Sequence, residues 1–171
     1  MIMKKVPGAG EVYMVYDARD RLVLTQDANM RAGSPQKWLY TLYDELNRPI
    51  ATGLWQNSDT RADHATQAAS STAYPNLTGQ TYEELTRTFY DNYEWRSQYG
   101  NPLSATLNTT DHSHLLTASN TTWPYPQAVT QSAALKGMVT GTRTKVLGTS
   151  TYLYTVNFYD DKGRVIQTKS T

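Results

Sequence analysis

The chain of 171 residues contains no cysteine, which excludes disulfide bonds, thiolate zinc sites, iron–sulfur clusters and a cysteine nucleophile. It also has little net charge, +1 from 16 basic and 15 acidic side chains, so its electrostatics does not favour nucleic acid or an anionic membrane as a partner. No apolar run approaches the roughly 18 residues that a membrane-spanning helix needs. The first ten residues lack the apolar stretch of a signal peptide, so we expect none in this segment.

Tyrosine and threonine are plentiful, with 13 and 25 copies, and both suit the half-exposed surface of a β-sheet. This composition predicts an all-β fold, and the length predicts one compact unit. The mean hydropathy of −0.61 is low for an isolated globule. It indicates that some apolar face is completed by a partner outside this chain.

A short motif recurs three times: Tyr, Asp, three variable positions and Arg. Its copies are Tyr16-Asp17-Ala18-Arg19-Asp20-Arg21, Tyr43-Asp44-Glu45-Leu46-Asn47-Arg48 and Tyr159-Asp160-Asp161-Lys162-Gly163-Arg164. A fourth, degraded copy runs from Tyr90 to Trp95, where Trp replaces Arg. Because β-type runs precede all four copies and follow the intact ones, we expect antiparallel hairpins near residues 11–27, 38–54, 85–98 and 152–169.

The loop residues of the motif suit a type I turn. The aspartate can accept a hydrogen bond from a backbone N–H two residues on. The last loop position needs a left-handed conformation, and Asp20, Asn47 and Gly163 tolerate it. If Tyr16 faces Arg21 across the loop, Val15 faces Leu22. The residue before each motif tyrosine is apolar and predicts the buried face: Val15, Leu42, Phe89 and Phe158.

Several local features complete this prediction. Pro49 lacks an N–H, so we expect it at an exposed edge or a bulge. Insertions cover residues 57–80 and 101–135. The first is predicted to hold a short helix capped by Ser58 or Asp59, and the second reads as a long polar surface loop. Residues 138–147 and 151–158 look like two further strands joined at Gly148.

The hairpin motif resembles the YD repeat of the Rhs (rearrangement hot spot) family of bacterial surface and secreted proteins. The residues around it resemble those of Rhs chains from Bacteroides-like bacteria. The resemblance rests on three sets of residues: Tyr16, Asp17 and Arg21; Tyr43, Asp44 and Arg48; and Tyr159, Asp160, Gly163 and Arg164. It implies a long β-strip that winds into a hollow shell around a variable C-terminal polypeptide, often a toxin. The expected partner is therefore the remainder of a parent polypeptide, including that C-terminal cargo.

Catalytic and metal-binding candidates are weak. The His112-Ser113-His114 segment could offer two imidazoles to a metal, but no third ligand is in sight, so we predict a solvated loop and no cofactor. His64 stands alone and is predicted to lie at the surface. No Gly-x-Ser-x-Gly motif supports a serine hydrolase. Each motif arginine has an aspartate and a tyrosine nearby. Charge pairing and cation–π contact therefore account for the repeated arginines without a role in binding nucleic acid.

The sequence therefore predicts a non-enzymatic structural segment of a secreted or cell-surface protein. The first alternative is a carbohydrate-binding β-module of the cell surface, and the second is a metal-assisted hydrolase that would use His112 and His114. In that module, aromatic planes would stack on sugar rings, and the candidates are Trp38, Trp55, Trp95 and Trp123. Pairing of open strand edges between two copies of the chain is a further expectation.

Overall fold

The computed structural model describes residues 2–5, 7–115, 118–122, 124–125 and 129–171. Within this part of the chain, nine strands are hydrogen-bonded to one another in chain order, with a few short helices between them. This confirms the predicted all-β fold with antiparallel hairpins. The contacts divide the chain into two units, residues 1–87 and 88–171, where the sequence predicts one. The reason is that the buried side chains form two separate clusters.

The first unit is a meander of strands with two inserted helices. Its elements are β1 (Met3–Lys4), β2 (Val12–Tyr16), β3 (Leu22–Gln26), α1 (Ala28–Ala32), β4 (Lys37–Tyr43), β5 (Pro49–Gln56), α2 (Arg61–Ala69) and residues 82–87 of β6 (Tyr82–Tyr90). The β2–β3 and β4–β5 hairpins are the two that the first motif copies predict. Their inward faces and α2 enclose a core that includes Val15, Leu24, Trp38, Tyr40 and Trp55.

Helix α2 confirms the predicted short helix, but its cap differs from the expected Ser58 or Asp59. The N-cap is Thr60, whose hydroxyl accepts a hydrogen bond from the backbone N–H of Asp63 at 3.3 Å. The Asp63 carboxylate in turn accepts the Thr60 N–H at 3.1 Å. Thr60 caps the helix because an acidic side chain three residues later completes this reciprocal pair of bonds.

The second unit contains the last predicted hairpin and the long polar insertion. Its elements are residues 88–90 of β6, α3 (Trp95–Gln98), a 3-10 helix (His112–His114), β7 (Val139–Lys145), β8 (Tyr152–Tyr159) and β9 (Val165–Ser170). Gly148 lies in the connection between β7 and β8, as expected. Its φ is 76°. The core gathers Phe89, Trp95, Tyr154, Val156 and Phe158. No helix in the described residues combines the length and apolar character needed to cross a membrane.

The predicted hairpin near residues 85–98 is wrong, because β6 is followed by helix α3 and not by a return strand. Asp91 adopts a φ of 71° directly after the strand, so the chain leaves the strand direction before a loop of the repeat type can close. The Asp91 N–H donates to the carbonyl of Met138 instead. Glu94, at the position that needs a left-handed residue, is right-handed with φ −65°.

The predicted register of the intact hairpins is also wrong. Tyr16 pairs with Leu22 and Val15 pairs with Leu24, so Val23 is an extra residue in the return strand. The same β-bulge adds Ile50 to the second hairpin and Ile166 to the third. Pro49 lies at the bulge of the second hairpin, in keeping with its missing N–H.

Candidate functional site: the Tyr-Asp-Arg turns

The three intact motif copies fold into the same turn. In the first, the N–H of Asp17 donates to the carbonyl of Arg21 and the N–H of Asp20 donates to the carbonyl of Asp17, both at 3.0 Å. The corresponding distances in the other two turns are 3.0 to 3.1 Å. The last loop position is left-handed each time, as predicted, with φ of 57° at Asp20, 63° at Asn47 and 72° at Gly163. These bonds close a tight three-residue loop that reverses the strand.

The motif aspartate clamps each turn with both carboxylate oxygens. In the first turn, Oδ1 of Asp17 accepts the N–H of Arg19 at 2.9 Å and that of Arg21 at 3.0 Å. Its Oδ2 accepts the Arg21 guanidinium at 2.8 Å from Nε and 2.5 Å from Nη2. The equivalent bonds recur at Asp44 with Leu46 and Arg48, and at Asp160 with Lys162 and Arg164. We call this arrangement the aspartate clamp.

The first aspartate clamp is the most deeply buried of the three. The Asp17 side chain is 0% exposed and the Arg21 side chain 11% exposed, whereas both side chains of the Asp44–Arg48 pair are about one-fifth exposed. Burial alone raises the pKa of Asp17, but hydrogen bonds from the Arg21 side chain and from the N–H groups of Arg21 and Arg19 outweigh it and lower the pKa. The pKa values of Asp44 and Asp160 are lowered in the same way.

These lowered pKa values predict that acid destabilises the protein. As pH falls through about 4, the aspartates of the unfolded chain take up protons before the clamped ones do, so the free energy of unfolding decreases. Urea unfolding at about pH 6 and about pH 3 measures the decrease. Asp160→Asn should make the decrease smaller. An unchanged pH dependence in this variant would contradict the role of the Asp160 clamp.

The motif tyrosine connects its hairpin to the strand beside it. The hydroxyl of Tyr43 donates to the carbonyl of Leu22 in β3 at 3.1 Å, and that of Tyr159 donates to the carbonyl of Val139 in β7 at 2.7 Å. Tyr43 also lies under the Arg21 guanidinium, 4.7 Å from its ring centre. In the part of the chain that the structure describes, the one hydrogen bond of the Tyr16 hydroxyl is to the sulfur of Met14 within its own strand, at 3.6 Å. The second and third tyrosines therefore tie neighbouring strands together.

Removing these hydroxyls should lower the free energy of unfolding by different amounts at the three tyrosines. Tyr43→Phe and Tyr159→Phe are each expected to lower the free energy of unfolding by about 1 kcal/mol, the usual net value of one hydrogen bond. Tyr16→Phe is the matched control and should change it by less than about 0.5 kcal/mol. Urea unfolding of the three variants provides the comparison. Equal losses in all three would show that the bonds between strands contribute nothing particular.

Three of the four tryptophans do not provide the predicted sugar-stacking surface. Trp38, Trp55 and Trp95 are 0%, 4% and 6% exposed, so none of them presents an indole face to a ligand. They are buried because each packs against aromatic neighbours in the core of its unit. Trp123 lies outside the described residues. Sugar stacking on the first three positions is therefore corrected to core packing.

The prediction that His64 lies at the surface is wrong. His64 is 0% exposed, because the face of α2 that carries it packs on the first unit's sheet. Its Nδ1 lies 2.5 Å from the hydroxyl of Tyr74. No pattern around His64 in the chain indicates this contact. In the structure, Trp38 and Trp55 pair across β4 and β5 and form a wall against which the His64 ring packs.

His112 and His114 have no third metal ligand beside them among the described residues. His112 and His114 lie on the 3-10 helix within the polar insertion. The described residues contain no group of three or more His, Asp or Glu side chains arranged to hold a metal ion.

In comparisons with known proteins, no family model, curated protein or solved structure matches this chain.

Proposed function

We propose that this chain is a non-catalytic structural segment of an Rhs-like YD-repeat protein, secreted by a bacterium or displayed on its surface. Its hairpins contribute to, or cap, a β-shell that encloses a C-terminal polypeptide of the parent protein. The observation that carries the proposal is the aspartate clamp, built identically at Asp17, Asp44 and Asp160. A repeat that conserves its turn chemistry while its loops vary suits a wall assembled from similar pieces.

Contacts between the first two turns support a structural role. The guanidinium groups of Arg19 and Arg21 both donate to the side-chain oxygen of Asn47, at 2.8 and 2.9 Å. Together with the bond from Tyr43 to Leu22, they join one hairpin to the next through motif residues. The motif residues are therefore occupied in holding hairpins together, which favours a wall over a catalytic centre.

The proposed partners are the remainder of the parent polypeptide and, through open strand edges, a second copy of the chain. Strand β9 pairs with β8 along one side, and its residues alternate between exposed and half-buried along most of its length. Such an edge offers backbone N–H and C=O groups to another strand. Nucleic acid and membrane lipid are not proposed as partners, since the chain is close to neutral.

The test uses the reading frame that contains this chain together with the polypeptide encoded downstream. We expect limited proteolysis to leave the downstream polypeptide intact in the assembled protein and to degrade the same polypeptide when it is expressed alone. Replacing Asp17 and Asp160 by Ala in the assembled protein should restore its degradation. If the downstream polypeptide is degraded equally in all forms, the shell proposal is wrong.

A glycan array on the 171-residue chain separates the proposal from the carbohydrate-binding alternative. The structural proposal expects no glycan to bind. Binding that is lost in Trp123→Ala would favour the carbohydrate-binding alternative instead. Trp38→Phe is an unsuitable probe, because Trp38 lies in the core and its replacement alters folding.

A further inference from the structure

A buried histidine lies among aromatic rings in the first unit. The ring centre of His64 is 4.7 Å from that of Trp38 and 5.2 Å from that of Trp55. Its Nδ1 lies 2.5 Å from the Tyr74 hydroxyl, and its Nε2 is buried with no hydrogen-bond partner among the described residues. We call these four residues the histidine cage. It is unusual because a buried polar nitrogen normally has a partner.

The chain that follows α2 links the histidine cage to the first Tyr-Asp-Arg turn. The carbonyl of Ser71 accepts the N–H of Ala18 at 3.3 Å. The carbonyl of Thr72 accepts Nη2 of Arg21 at 2.6 Å. Residues 70–74 therefore contact the first turn at one end and His64 at the other. Any change that releases Tyr74 from the cage also affects the two bonds that cover the most buried aspartate clamp.

The surroundings of His64 favour its neutral form. Strands β4 and β5 present uncharged indoles, the segment after α2 presents the Tyr74 hydroxyl, and the charged groups that act on the ring are the carboxylates of Asp59 and Asp63. Burial lowers the pKa of His64, and the two carboxylates offset this effect only in part. The same burial raises the pKa of Tyr74, so its hydroxyl stays protonated.

Protonation would also disturb the hydrogen bonds of the histidine cage. A neutral imidazole can accept the Tyr74 proton at Nδ1, whereas the imidazolium has a donor on both nitrogens. The proton taken up adds an N–H at Nδ1, because the neutral ring that accepts there already carries its N–H at Nε2. The Tyr74 hydroxyl would then have to accept from Nδ1, and its own proton would have to turn to another acceptor, such as Gln67 Oε1 at 3.4 Å. A buried cation and the loss of the bond that Tyr74 donates to His64 both destabilise the packed state.

We propose that the histidine cage is a pH-sensitive clasp: it holds α2 and residues 70–74 against the sheet at neutral pH, and proton uptake by His64 releases them under mildly acidic conditions. The release uncovers the first Tyr-Asp-Arg turn. This inference rests on contacts within the first unit and holds whether or not the chain belongs to a shell.

The direction of the pH effect follows from proton linkage. In the open state His64 is solvated and takes up a proton near its ordinary pKa, while in the closed state it stays neutral to lower pH. The open state therefore binds more protons below about pH 6.5, and the clasp is closed above that pH and weakens as pH falls. Because one proton is taken up, the opening constant should rise from about pH 7.5 to about pH 5.5, by at most about tenfold.

Hydrogen exchange of the full 171-residue chain at these two pH values, corrected for intrinsic exchange rates, tests the clasp. We expect the amides of residues 61–74 to open more at the lower pH, by at most about tenfold, and those of β7 to β9 to change little. His64→Phe, which keeps a flat aromatic ring but cannot titrate, should abolish the difference. The matched control, His112→Gln with His114→Gln, should retain it.

Two results would overturn the proposal. One is equal exchange of residues 61–74 in the wild type at both pH values, and the other is an unchanged pH response in His64→Phe. If His64→Phe does not fold, the NMR titration of the His64 ring in the wild type decides. A ring that titrates at its ordinary pKa, with no exchange between open and closed forms, would show that no clasp exists.

Discussion

Asp17→Ala is expected to lower the free energy of unfolding by about 3–5 kcal/mol, the usual loss when one partner of a buried ion pair is removed. The Asp17 carboxylate is fully buried and receives four hydrogen bonds, two from backbone N–H groups and two from the Arg21 guanidinium. Without it, Arg21 keeps a charge that is only 11% exposed and has lost its counterion. The turn also loses the acceptor that fixes its backbone.

Urea unfolding of the full chain followed by circular dichroism, together with amide exchange in β2 and β3, measures this loss. Asp20→Asn is the matched control in the same turn, because asparagine tolerates the left-handed conformation that Asp20 adopts with a φ of 57°. It should change stability by less than about 0.5 kcal/mol. Asp44→Ala should lie between the two, since its clamp is partly solvated. If Asp17→Ala costs no more than Asp20→Asn, the clamp does not stabilise the turn.

The local chemistry of the turns was predictable because it depends on residues within six positions of one another. The aspartate bond to the N–H two residues on and the left-handed conformation of Asn47 follow from the residue types alone. The buried face was also predictable, since the residue before the tyrosine is apolar in every copy, and Val15 and Phe158 are fully buried. These features belong to the hairpin itself and need no knowledge of its neighbours.

The register could not be predicted, because an alternating run does not reveal where one strand gains a residue. Val23 is the extra residue of the first hairpin, yet in the sequence it reads as an ordinary member of an apolar run. In the second hairpin the bulge adjoins Tyr43, whose hydroxyl bonds to the neighbouring strand. The burial of His64 was equally hidden, since it depends on where α2 docks and not on the residues beside it.

In the degraded fourth copy, the sequence motif and the structure predict opposite effects of one substitution. Trp95→Arg would restore Tyr-Asp-x-x-x-Arg from Tyr90 onward, so the motif alone predicts a better hairpin. The structure predicts the opposite. The indole of Trp95 is 6% exposed and stacks on Phe89 at 3.9 Å with the rings parallel to 1°. Its Nε1 donates to the hydroxyl of Thr140 at 3.1 Å.

Two further contacts oppose a repeat-type hairpin at this position. Oδ1 of Asp91 already accepts the N–H of Gly137 at 2.6 Å, so part of the carboxylate that a clamp would use is engaged elsewhere. Gly141 lies directly against the indole: a Cβ at this glycine would come within 2.3 Å of Trp95 Cζ2. The backbone of β7 is thus shaped to the tryptophan, and a guanidinium would leave this space unfilled.

We therefore expect Trp95→Arg to lower the free energy of unfolding of the second unit by about 3–5 kcal/mol, the range for loss of a buried aromatic ring, with the buried charge adding to it. Trp95→Phe, which retains an aromatic ring for stacking on Phe89 but loses the bond to Thr140, is the matched control and should cost less. Amide exchange in β7 and β8 reports the effect. A Trp95→Arg variant that is as stable as the wild type and shows cross-strand contacts over residues 85–98 would prove that the motif, and not the packing of Trp95, determines the fold here.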